Sequence, residues 1–211
     1  MDACRKIAIL SSIVSGRQVD FEDIYTEGIT KITAQDMRYA KEMNMVIKLL
    51  ATMKQEDRTI GAIVAPFLLH SEHPLASVHG VFNAIFVRGN ALGDSMFYGS
   101  GAGKMPTASA VTADIVEAAR YQDRTICEYW SGNKMELKSR MDVKRKFFIR
   151  MAGRKEAYAD RIREAFGEVQ YLTADGCEGE FAFVTGEIKE GEYESAAAEF
   201  GNLIHMIRVA S

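Results

Sequence analysis

The chain has 211 residues, 47% of them hydrophobic and 26% charged, with three prolines, a composition that suits one mid-sized globular domain or two small ones and excludes disorder. A net charge of −3 without runs of like charge offers no field for a nucleic-acid backbone, and no segment reaches the roughly 18 to 20 apolar residues of a membrane helix. Three scattered cysteines, Cys4, Cys127 and Cys177, lack C-x-x-C spacing and point to free thiols in a reducing compartment, which predicts a cytoplasmic protein.

The N-terminus, MDACRKIAILSSIVSG, imitates a secretory leader only in part. Its apolar stretch from Ile7 to Val14 is broken by Ser11 and Ser12, and Asp2 stands where a positive region belongs. Residues 3 to 15 read instead as a helix that is apolar on most faces and therefore buried. Thr33 and Asp36 form a capping-box pattern with Ile32 as a hydrophobic staple, so a helix is expected from about 34 to 43. The period then shortens to two. Val46 to Met53, Ile60 to Leu69, Val81 to Val87 and Ser95 to Tyr98 read as strands, with Gly89-Asn90 placed for a tight hairpin turn. These elements predict a largely antiparallel sheet with helices on one face.

The stretch FYGSGAGKMPTAS follows. It looks like a phosphate loop, but Tyr98 replaces the first glycine and Met105 the hydroxyl residue after Lys104, and Gly99, Gly101 and Gly103 also miss the dinucleotide spacing G-x-G-x-x-G. A helix with the stripe Ala108, Val111, Ile115 and Ala119 comes next. Polar, irregular residues from 123 to 142 read as a linker holding Trp130. The tail reads as a β-α-β-β-α-β unit: strand 144 to 151, helix 154 to 166, strands 168 to 173 and 179 to 185, helix 190 to 200 and strand 203 to 209. His70, His73 and His79 lie close in sequence but without helical spacing or a cysteine, so no metal site is expected.

Four stretches taken together, DACRKIAILSSIVSG, EGITKITAQDMRYAKEM, HPLASVHGVFNAIFV and MFYGSGAGKMPTASAVTADIVEAAR, resemble the catalytic part of homoserine dehydrogenases. The tail more weakly resembles the ACT-type regulatory module that follows it. The resemblance implies an α+β fold in which residues 1 to 122 are the catalytic, substrate-binding domain, 123 to 142 a linker and 143 to 211 a ferredoxin-like ACT domain. It implies reduction of L-aspartate 4-semialdehyde to L-homoserine with NAD(P)H in threonine and methionine biosynthesis. Lys6 would be the catalytic acid–base and Asp2 a substrate-binding residue. These two are i and i+4 on one helical face, and a lysine at hydrogen-bond distance can protonate the aldehyde oxygen as hydride arrives at carbon. The apolar residues after Lys6 would desolvate its ammonium. Without the resemblance, the pair reads as a surface salt bridge.

By the same resemblance Gly101 and Gly103 would bring backbone against the nicotinamide half of the cofactor; the alternative is that they only turn the chain from strand to helix. The helix after them would pack on a dinucleotide-binding domain, and the subunits would pair as a homodimer through the catalytic sheet. That dinucleotide-binding domain has no counterpart in the sequence, so the chain alone is expected to bind NAD(P)H poorly and to turn over little. The rival reading is a non-catalytic regulatory or split-subunit protein that binds an amino acid. The tail also carries MAGRKEAYAD where an ACT module has its Asp-x-Pro-Gly turn, which puts effector binding in question.

Overall fold

The computed structural model describes residues 1–122 and 129–210. In chain order its elements are α1 (Asp2–Ser15), β1 (Arg17–Gln18), β2 (Tyr25–Thr26), α2 (Ala34–Glu42), β3 (Met45–Glu56), β4 (Thr59–His70), β5 (Phe82–Gly89) and β6 (Gly93–Ser100). They continue with α3 (Lys104–Arg120), β7 (Ser131–Lys134), β8 (Lys144–Ala152), α4 (Ala159–Phe166), β9 (Gln170–Leu172), β10 (Glu180–Val184), β11 (Ile188–Lys189), α5 (Glu190–Ala197) and β12 (Leu203–Val209). Contacts divide them into two compact units, residues 1–70 with 129–211, and residues 71–128.

The larger unit is built on one mixed sheet, ordered β2-β4-β12-β8-β10-β9, with β3 paired antiparallel to β4. Strand β4 runs almost continuously apolar because it is buried on both faces. Along one edge it takes β2 in parallel at Ile63 and Val64, then β12 in parallel at Phe67 and Leu68. Pro66, which has no N–H to give, falls between those two stretches.

The parallel β12–β4 pairing joins the C-terminal strands to the N-terminal ones in one sheet, with the N-terminal helices on one face, as expected for the N-terminal strands, and the helices of the tail on the other. On one face Cys4, Ile7 and Ala8 of α1 pack with Ile60 and Val64, while Tyr39 and Ala40 of α2 pack with Leu68, Phe148 and Ile207. On the other, Ile162 and Phe166 of α4 and Tyr193 of α5 cover Phe147, Ile149, Met151, Phe181 and Phe183. Alternation along β8 makes this possible, because successive side chains point to opposite faces. Helix α1 buries one side only; Ile9, Ile13 and Val14 are about half exposed, so the helix, apolar on most faces, is less buried than expected. The residues after 130 are tied to the same body: β7 pairs with β1, Met135 is buried beside α1 and Trp130 is half-buried.

Two ionic clusters are buried in this unit. At the start of α2 the capping box forms as expected, with Thr33 N donating to Asp36 Oδ2 at 2.7 Å and Asp36 N to Thr33 Oγ1 at 3.3 Å. Asp36 also accepts from Arg150 Nη1 at 2.7 Å and lies 3.0 Å from His205 Nδ1, and Arg150 reaches Glu180 at 2.6 Å. Burial works against the Asp36 charge, but the hydrogen bonds from His205, Arg150 and the Thr33 backbone outweigh it and hold the carboxyl well below the usual range. On the opposite face Arg208 joins Glu190 and Glu27, the latter at 2.8 Å, and Arg140 shares Glu190. Arg208 and Glu190 are almost wholly buried. Against its burial, Arg208 and Arg140 keep the Glu190 carboxyl below its ordinary value.

The smaller unit is an antiparallel hairpin, β5 with β6 in register from Phe82↔Ser100 to Gly89↔Gly93, followed by α3. The hairpin loop is Asn90–Leu92, closed by Gly93 at φ +76°. The expected turn at Gly89-Asn90 is thus displaced by one residue, because the left-handed position belongs to Gly93. No residue of α3 is buried within the described residues.

Candidate functional site

Asp2 and Lys6 stand on the first two turns of α1. The helix ends in a left-handed Gly16, whose N–H bonds Ser12 O at 2.9 Å. Because Cys4, Ile7, Ala8 and Ser11 face the sheet, the i, i+4 pair at positions 2 and 6 faces outward. Lys6 Nζ meets Asp2 Oδ2 at 2.7 Å with the side chains 63% and 82% exposed. The hydrogen bond from Lys6 holds the Asp2 carboxyl below its ordinary value. The desolvation expected from the following apolar residues is not supplied by α1: Ile7 and Ala8 point to the core, Ile9, Ile13 and Val14 are themselves about half exposed, and the Lys6 side chain stays largely in water. With one donor engaged by Asp2, the remaining donors of Nζ can meet an incoming oxygen.

Gly101 and Gly103 belong to the other unit, in the three-residue link between β6 and α3. Gly101 N–H donates to Val81 O at 3.2 Å. Gly103 precedes α3 at φ 121°, ψ 160°, a region essentially reserved for glycine. Both glycines are exposed, so the turn offers bare backbone at the surface, as a planar ring approaching closely would require. The structure therefore brings Asp2 to Lys6 and Gly101 to Gly103, and the two pairs fall in separate compact units.

His73 Nδ1 accepts from Leu75 N at 3.1 Å and so caps a short 3-10 turn. Among the described residues no group of three or more histidine, cysteine or acidic side chains is placed to hold a metal, and no helix is long and apolar enough to cross a membrane. Cys4 and Cys177 are free and buried; Cys127 lies outside the described residues. Glu27, in the stretch TEGIT, has a structural partner in Arg208. Neither ionic cluster was legible in the sequence beyond the local capping box at Asp36, because their members lie up to 181 residues apart.

Comparison with known proteins places these residues in context. The family model described as homoserine dehydrogenase matches residues 1–116, a span that holds Asp2, Lys6, Gly101 and Gly103. Homoserine dehydrogenase of Synechocystis is 34% identical over 96% of the chain and 52% of its own length; that of Corynebacterium glutamicum is 51% identical over 56% of the chain and 28% of its own. Among solved structures, a homoserine dehydrogenase from Thiobacillus denitrificans superposes with a TM-score of 0.87 at 31% identity, covering all of this chain and 53% of that one. The chain thus spans about half the length of those relatives that it matches over nearly all of its own length, and it belongs to the homoserine dehydrogenase family.

Proposed function

We propose that the chain forms the substrate-binding part of an enzyme that reduces L-aspartate 4-semialdehyde to L-homoserine. The observation that carries this reading is that Lys6 and Asp2 lie inside the matched family span and are paired on an exposed helical face. NAD(P)H would supply the hydride. Lys6 Nζ–H is the proton donor to the aldehyde oxygen, a role that typically contributes about 10²–10⁴-fold. Asp2 accepts a hydrogen bond either from the substrate ammonium or from Lys6, and in the second case it orients the lysine. The bare, exposed backbone at Gly101 and Gly103 fits the close approach of a flat nicotinamide.

The subunits pair as a homodimer in this reading. Residues 143–210 act as an ACT-like module, a reading supported by their sheet order β12-β8-β10-β9 and by the two helices on one face. The deciding experiment is Lys6→Ala in an enzyme that contains this chain together with a dinucleotide-binding domain. Turnover should fall by at least about a hundredfold with an unchanged circular dichroism spectrum; turnover near the unsubstituted level would end the assignment.

A further inference from the structure

The two glycines of the turn are required for different reasons. Gly103 needs its backbone conformation, whereas Gly101 is not among the glycines of positive φ. Its constraint comes from a neighbour: a Cβ built on Gly101 would coincide with Asn83 Nδ2 and stand 2.5 Å from Asn83 Cγ and 3.2 Å from Asn83 Cβ. The amide end of Asn83, an exposed side chain, occupies that space, so another residue at 101 would have to swing the amide aside and press on the Asn83 β-carbon.

Asn83 lies on β5 opposite Gly99 of β6, two positions beyond Val81, whose carbonyl accepts the Gly101 N–H. Residues 99 to 101 are therefore fixed twice, by a backbone bond to Val81 and by the side chain of Asn83 pressed against the Gly101 α-carbon. No hydrogen bond to another described residue holds the Asn83 amide, so what it contributes within the fold is volume. Strand β5 carries the part and the glycine receives it.

We propose that Asn83 is a positioning residue for the cofactor-facing turn: packed into the space left by the missing Cβ of Gly101, it sets the level at which the 101–103 backbone meets the nicotinamide. This inference rests on the assignment of the turn to NAD(P)H. A flat ring lying on backbone tolerates little displacement, since a shift of about 1 Å is enough to lose much of a positioning effect. Removing Asn83 lets the turn sink towards β5; adding a methyl at 101 forces it away.

The packing is tested first in this chain, by amide hydrogen exchange across residues 82 to 100. Gly101→Ala should accelerate exchange there by about tenfold, and combining it with Asn83→Gly should recover most of that loss relative to Asn83→Gly alone, as expected for two groups competing for one space. Unchanged exchange in Gly101→Ala, or a double variant no better protected, overturns the inference.

The functional half is read in an enzyme that includes a dinucleotide-binding domain. Asn83→Ala should raise the nucleotide KM by about tenfold and leave the homoserine KM unaltered, a split that a general loss of structure would not produce. Asn83→Leu, which refills the space without the amide, should restore most of the nucleotide affinity. An unchanged nucleotide KM in Asn83→Ala overturns the positioning role. An unsubstituted enzyme with no homoserine-dependent turnover removes the cofactor assignment and the positioning role together, and only the packing of Asn83 on Gly101 survives.

Discussion

The two compact units of this chain solve the problem of burial in opposite ways. The larger one closes both faces of its sheet with helices and still hides charged groups among them, with Arg150, Asp36, Arg208 and Glu190 all 3% exposed or less. The smaller one buries almost nothing of its helix: Met105, Val111 and Ile115 of α3 are 78%, 53% and 63% exposed, and Phe97 of the hairpin 68%. A unit that seals its own core can afford ionic clusters inside it, whereas a hairpin and one helix lack the layers to cover their apolar faces. The contrast predicts where substitutions hurt.

The largest effect should come from Arg208→Met. The change leaves Glu190 and Glu27 without the guanidinium that both carboxylates face, and breaking a buried pair from one side costs about 3–5 kcal/mol. Urea denaturation of the chain reads this directly, and a loss below about 1 kcal/mol would mean that water enters the cluster and that the larger unit is less well sealed than its packing implies.

Acid should act next, through Asp36 and Glu190. Both carboxyls lie below their ordinary values in the folded chain, so their contribution is complete above the unfolded carboxylate pKa, near 4, and is lost as pH falls through the lowered folded values. Unfolding free energy should therefore decline steadily from about pH 5 downward. Asp36→Asn should be less stable at neutral pH and should show a shallower acid slope. An identical slope in the two proteins would remove Asp36 from the account.

How much of this was legible in the sequence follows the range of each interaction. The capping box at Thr33 and Asp36 could be read because its partners are three residues apart, and α2 begins at Ala34 as expected. The second role of Asp36 could not, because Arg150 and His205 lie 114 and 169 positions away. The strands of the tail were readable from their alternation, but the β12–β4 pairing that joins them to the N-terminal sheet rests on two residue pairs without local signature. In the candidate site the Asp2–Lys6 pairing follows from helical spacing. Its exposure does not, because which face of an apolar helix meets the sheet is set by the fold: Ile7 and Ala8 turn inward, while Ile9 and Ile13 share the solvent with Lys6. Gly103 and Gly101 looked equivalent in GAG, and only the fold separates a backbone requirement from a side-chain overlap.

The smallest effect is the most instructive about the second unit. Ile115→Ser changes a side chain that is 63% exposed, and serine and isoleucine have similar helix propensities, so the stability of this chain should move by no more than about 0.5 kcal/mol. The same substitution in an enzyme with a dinucleotide-binding domain tests whether α3 packs there: a covered isoleucine loses about 1.5–3 kcal/mol of apolar burial on becoming polar. Equal small losses in both proteins would mean that the stripe of α3 stays in water, and that the openness of this unit belongs to the fold itself rather than to a surface completed by another part of the enzyme.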